Sequence, residues 1–158
     1  MARVRTCLWF AADAEQAIER YVSLVPDSRV EHVQRSPGPW PGGKAGDAIV
    51  VDFTLGGQAY QALNGGSRAD YGNAASISVS CVDQAEVDRM WSALLEGGGA
   101  EIQCGWLRDQ WGVPWQIIPE ALPRLLRHED RAVARRVFEA MQSMVKIDVA
   151  ALEHAAKG

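Results

Sequence analysis

Apolar positions along this chain form short alternating runs and helical stripes, and the same order of run and stripe occurs twice. Residues 4–11 read as a strand. Asp13 then stands as an N-cap before a stretch whose Ala17, Tyr21, Leu24 and Val25 make one apolar helical stripe. Pro26 and Asp27 end that helix, and residues 28–35 supply a second strand. The Pro/Gly-rich stretch 36–46 is a loop. Residues 47–55 and 58–64 read as strands joined by the turn pair Gly56-Gly57, and Asn64-Gly65-Gly66 closes the module.

The pattern restarts at Ala75. Residues 76–82 alternate small polar and apolar side chains with a period of two, the mark of a half-buried strand. Asp83 occupies a cap position, the next stripe carries Val87, Met90, Trp91, Leu94 and Leu95, and Gly97-Gly98-Gly99 stops it. Strands are predicted at 101–108 and 113–118. From Pro119 onward three short amphipathic helices carry Leu122, Leu125, Leu126, Val137, Met141, Met144, Ile147 and Leu152.

The repeat can be aligned residue by residue. An offset of 70 places Thr6 on Ser76, Asp13 on Asp83, Ala17 on Val87 and Tyr21 on Trp91. An offset of 55 places Gly57 on Gly112, Tyr60 on Trp115 and Gln61 on Gln116, the longer loop of the first half absorbing the difference. Duplication accounts for both matches.

Composition narrows the class. A chain of 158 residues with 47% apolar and 23% charged residues suits one globular domain, or two small ones around a common core. A net charge of −4 gives no basic face for nucleic acid. No apolar stretch approaches a membrane span and the N-terminus lacks the apolar region of a secretory signal, so a cytoplasmic protein is expected. Cys7, Cys81 and Cys104 each lie in or beside an apolar run, without zinc-type spacing, and read as buried, reduced thiols.

Several separated motifs then carry a resemblance: Leu8-Trp9-Phe10, Ala62-Leu63-Asn64-Gly65-Gly66, Cys81-x-Asp83-Gln84-x-Glu86-Val87-Asp88, Gln103-Cys104-Gly105-Trp106-Leu107-x-Asp109, and Gly112-x-x-Trp115-Gln116. In this order they resemble PhnB-like proteins of the 3-demethylubiquinone 3-methyltransferase type, a branch of the vicinal-oxygen-chelate (glyoxalase/bleomycin-resistance) superfamily. The resemblance runs over residues 4–155, including Lys146-Ile147-Asp148. It implies an α+β fold of two tandem βαβββ modules, about 4–66 and 75–118, forming a cupped mixed sheet within one domain, 1–118. A helical extension, 119–158, follows, and the assembly it implies is a homodimer. The methyltransferase description does not extend to a cofactor site. A common S-adenosylmethionine enzyme needs a glycine-rich turn opening a helix, whereas Gly97-Gly98-Gly99 closes one. No cofactor is expected.

In the superfamily, metal ligands come from the first and last strands of each module, and the matching positions are Thr6, Gln61, Ser76 and Gln116. Neutral hydroxyls and amides are weak ligands for transition metals, so no tightly held metal is expected. Strand parity puts Ser76, Ser78 and Ser80 on one face, toward the cup. Thr6, Leu8 and Phe10 of the first strand, Gln61 and Leu63, Trp106, Gln116 and Ile118 would complete a ligand pocket with apolar walls and few neutral polar groups. Gln61 and Gln116 can equally satisfy one another or nearby backbone. Trp40, in the Pro/Gly-rich loop, is either a flap over a ligand or a loop anchor.

Cys104 and Asp109 are the candidates for catalysis. Cys104 has Arg108 as its nearest sequence cation, with burial as its alternative role. Asp109 is either a general base or a turn former. The tail run 127–136 reads as a solvated helix face. Three functions remain open at this point: metal-independent binding of a small aromatic or amphipathic molecule, an enzyme using an unforeseen metal set or Cys104 and Asp109, and a structural dimer whose cup its own side chains fill.

Overall fold

A computed structural model describes every residue from Met1 to Gly158. The chain divides into two units, Met1–Asp70 and Tyr71–Gly158, and each contains one βαβββ module. In the first unit β1 (Thr6–Phe10), α1 (Ala14–Leu24), β2 (Arg29–Arg35), β3 (Ala48–Leu55) and β4 (Gln58–Asn64) follow in order. The sheet runs β1-β4-β3-β2, with β1 and β4 parallel and the other pairs antiparallel. Gly56 and Gly57 both have positive φ, 55° and 78°, as the tight two-residue turn between β3 and β4 requires. Beta-bulges interrupt the exposed edge strand β2, which discourages pairing with another chain.

Helix α1 buries Ala14, Ala17, Ile18 and Tyr21 on the sheet face that carries Leu8, Phe10, Val51, Phe53 and Ala62. Asp13 stands at the N-cap, but its side chain makes no capping hydrogen bond. Asn64, the last residue of β4, does this instead. Its Oδ1 accepts the Ala14 N–H at 2.9 Å and its Nδ2 donates to the Ala48 carbonyl at 2.9 Å.

The second unit repeats the module as β5 (Ile77–Cys81), α2 (Gln84–Leu95), β6 (Ala100–Glu101), β7 (Trp106–Arg108) and β8 (Pro114–Pro119), with sheet order β5-β8-β7-β6. Here the expected cap forms: the Asp83 carboxylate accepts the Glu86 N–H at 2.9 Å, and Glu86 in return accepts the Val82 N–H at 2.8 Å. The single strand expected at 101–108 is instead two short strands. Cys104 and Gly105 turn the chain with φ of 57° and 82°, which no strand tolerates.

Three helices follow, α3 (Ala121–Leu126), α4 (Arg131–Gln142) and α5 (Val149–Lys157). They share a core of Leu122, Leu125, Val137, Ile147 and Leu152, against which Ile118 of β8 packs. Each fully buried aliphatic side chain such as Ile147 contributes about 2 kcal/mol. Polar contacts fix this tail to the module. The Cys104 and Gly105 N–H groups donate to the Met144 and Val145 carbonyls, each at 2.8 Å. Gln84 on α2 donates to the Ile147 carbonyl at 3.1 Å and accepts the Val149 N–H at 2.8 Å. Arg136 donates to the Ala155 and Ala156 carbonyls, satisfying the open end of α5, while Arg135 pairs with Glu139 in solvent. No helix is long and apolar enough to cross a membrane.

Candidate functional site

Strand register decides which side chains face away from the helices. In the second unit Ser78 stands opposite Gln116, and Trp106 lies on the other side of Gln116. Ile77, Cys81, Trp115 and Ile117 occupy the opposite, helix-covered face. The serine face is therefore the open one, as its alternation predicts.

In the first unit it is Cys7, not Thr6, that stands opposite Gln61, with Asp52 on the far side. Two residues, Ala11 and Ala12, separate β1 from Asp13, whereas Val82 alone separates β5 from Asp83. The helices thus match at the offset of 70, but the strands match one residue further on. A one-residue slip exchanges the two faces of a strand. The expected pocket positions Leu8 and Phe10 are accordingly buried beneath α1 with Ala62, at 6% and 3% exposure, and Thr6 shares their face. Cys7 and Trp9 lie on the open face with Gln61 and Leu63, so Cys7 is exposed rather than buried as expected, and of the three thiols only Cys81 is fully buried. Trp9 covers Gly65, where any Cβ would collide with the indole, and its Nε1 donates to the Ser67 carbonyl at 2.7 Å.

The register also changes the chemistry of that face. Arg5, not Thr6, matches Ser76. Its Nη1 donates to Asp52 Oδ1 at 2.6 Å, and Gln61 Nε2 donates to the same oxygen at 2.9 Å. Where neutral groups alone were expected, the open face of the first unit holds an ion pair with an amide. Asp52 was legible as the one charged residue in the apolar run 48–55.

The second unit is neutral. Gln116 Nε2 donates to Ser76 Oγ at 2.8 Å. Beside them lies a cleft of about 430 Å³, whose floor is Ser78, Trp106, Gln116 and Ile118 and whose rim includes Cys104. Leu122, Pro123 and Leu126 of α3 and Met141 of α4 form the remaining wall. Of the predicted site residues the cleft gathers Ser78, Cys104, Trp106 and Gln116, with Ser76 hydrogen-bonded at its edge. Thr6, Leu8, Phe10, Gln61 and Leu63 belong to the first unit. Sequence reasoning missed the four helical residues, because it assigned Leu122, Leu126 and Met141 to tail packing and gave Pro123 no role.

Asp109 is not among the residues lining this cleft. Its Oδ1 accepts the Trp111 and Val113 N–H groups, both at 3.0 Å, and its Oδ2 accepts the Trp115 indole N–H at 3.0 Å. The buried carboxylate thereby organises the turn into β8. Trp40 anchors its loop, donating to Asp47 Oδ2 at 3.2 Å. The Lys44 N–H first, and then this indole, hold the Asp47 carboxyl below its ordinary pKa.

These donors do not fit a divalent metal. The Ser76 hydroxyl oxygen already accepts the Gln116 Nε2 N–H, which leaves only a neutral amide oxygen as donor there, and the position matching Ser76 in the first unit is the Arg5 cation. No three His, Cys, Asp or Glu side chains converge to hold an ion.

Comparison with known proteins agrees with the repeated module. The model of the 3-demethylubiquinone-9 3-methyltransferase family matches residues 2–118, so the match does not reach the tail that the motif resemblance over 4–155 included. A solved structure of a putative 3-demethylubiquinone-9 3-methyltransferase, a PhnB protein from Bacillus cereus, is 29% identical with a TM-score of 0.66, over 75% of this chain and 99% of that one. A protein from Pseudomonas aeruginosa shares the fold at 22% identity and a TM-score of 0.60, over 76% of this chain and 98% of its own. No curated protein matches the chain. With the family match spanning both βαβββ modules, the chain belongs to the 3-demethylubiquinone-9 3-methyltransferase family.

Proposed function

We propose that this chain binds a small, uncharged, amphipathic or aromatic molecule in the cleft of its second unit, without a metal. One observation carries the reading: no charged side chain lines the cleft, yet Ser78 and Gln116 offer hydrogen-bonding groups on an otherwise apolar wall. A charged ligand would lose its hydration there without a partner, which costs several kcal/mol. A neutral ligand buries apolar area against Leu122, Leu126 and Met141 and meets the polar edge at Gln116. The residues proposed for binding are therefore Ser78, Trp106 and Gln116, with Ser76 orienting the amide. A homodimer, residues 1–118 acting as one domain, and a cytoplasmic location belong to the same proposal.

Methyl transfer from S-adenosylmethionine has less support. The turn from β5 to α2 is Val82-Asp83, and its carboxylate occupies the helix N-terminus where a glycine-rich cofactor turn would stand.

A matched pair of fluorescent probes tests the reading. N-phenylnaphthylamine is neutral, and anilinonaphthalenesulfonate is the same skeleton bearing an anion. The expected result is saturable binding of the neutral probe, weaker binding of the sulfonate, and loss of both in Ser78→Phe, which fills the floor. Binding that never saturates, or that ignores Ser78→Phe, overturns it.

A further inference from the structure

We infer that the C-terminal helices are the specificity element of this cleft: residues beyond the family match, not the shared module, select the ligand by its charge and girth. The inference rests on the binding reading above.

The family match stops at residue 118, yet Leu122, Pro123, Leu126 and Met141 form one whole wall of the cleft. The shared module contributes the polar floor, Ser78 and Gln116, beside Trp106 and Ile118. The tail contributes apolar side chains alone. This wall is held in place from several directions. Leu122 belongs to the tail core, and Leu126 and Met141 pack against it. The strap before α5 is hydrogen-bonded to the Cys104-Gly105 turn on the rim, and Gln84 fastens the same strap to α2. Gly105 sits so close beneath the strap that an added Cβ would press on Ile147 and on the Ile117 carbonyl, both at 3.0 Å. A wall this fixed sets the width of the space and leaves its chemistry to the side chains that point into it. Leu126 and Met141 are half-buried, so each can be replaced by a long polar side chain whose charge reaches the cleft without unfolding the helix.

The test uses the full chain and the same two probes. Leu126→Lys should shift the affinity ratio toward the sulfonated probe by about tenfold, and Leu126→Glu should shift it the other way. Simple loss of packing moves both variants alike, so opposite signs are specific to a wall that meets the ligand. Met141→Lys and Met141→Glu repeat the measurement on α4 in case α3 does not tolerate the change, with circular dichroism checking the fold. If folded Lys and Glu variants at both positions keep the native ratio while Ser78→Phe abolishes binding, the cleft binds but the tail does not select. If Ser78→Phe leaves binding unchanged, the site itself is elsewhere.

Discussion

Asn64 Oδ1 accepts the Ala14 N–H at 2.9 Å, so the end of one strand caps the helix that packs on its own sheet. The amide also donates to the Ala48 carbonyl, and the side chain is 4% exposed. Asn64→Leu strands a buried N–H and a buried carbonyl, and should cost about 2 kcal/mol or more. Asp13→Ala, at the nominal cap, should cost less than about 0.5 kcal/mol because its side chain makes no cap bond. Urea unfolding of the two variants gives the comparison, and the reverse ranking would contradict this account.

Asp109 accepts two backbone N–H groups and one indole N–H. Asp109→Asn turns one acceptor into a donor facing donors. It should lower stability by about 2 kcal/mol and change the fluorescence of Trp115, while leaving probe affinity in folded protein unchanged. A loss of affinity at native stability would instead bring Asp109 into the site.

Gln84 joins α2 to the tail through its contacts with Ile147 and Val149. Gln84→Ala should therefore speed hydrogen exchange at Val149, Cys104 and Gly105 and leave the amides of α1 protected. Lys146, and after it Gln84, hold the Asp88 carboxyl below its ordinary 3.8. A lowered carboxylate pKa stabilises the fold above that value, and the stabilisation is lost as pH falls through the lower folded value. Protection of the tail amides relative to their intrinsic exchange rates should thus fall below about pH 4, and Lys146→Met should remove this acid dependence.

Burial pushes the Cys81 thiol up to about 11, Glu86 and then Asp83 reinforcing it against the opposing pull of Arg89. The unfolded thiol ionises first, near 9.0, so this contribution is full below that pH and disappears as pH rises through about 11. Alkaline denaturation should be shallower in Cys81→Ala. A neutral-pH thiol titration should modify exposed Cys7 ahead of Cys81.

The off-by-one strand shows where reading the chain fails. The alignment of Asp13 with Asp83 is correct for the helices, whose caps and stripes are local. Carried into β1, it names Thr6, Leu8 and Phe10 as pocket residues, because nothing local reveals that the first connection holds one residue more. Cys7 to Phe10 present apolar side chains on both faces of β1, so alternation gives no independent check there. In β5 the serines do alternate, and that face was legible.

Apart from the break between β6 and β7, the sequence by itself determined the elements, their order and the duplication, because helix stripes, caps and turn glycines act over a few residues. It also determined the family, through motifs spread over both modules. Only the tertiary structure decided which face of β1 is covered, that Arg5 and Asp52 pair beside Gln61, and that α3 and α4 wall the cleft next to Gln116. Each of these joins residues far apart in the chain, and their meeting depends on strand register and helix packing, which no local pattern encodes.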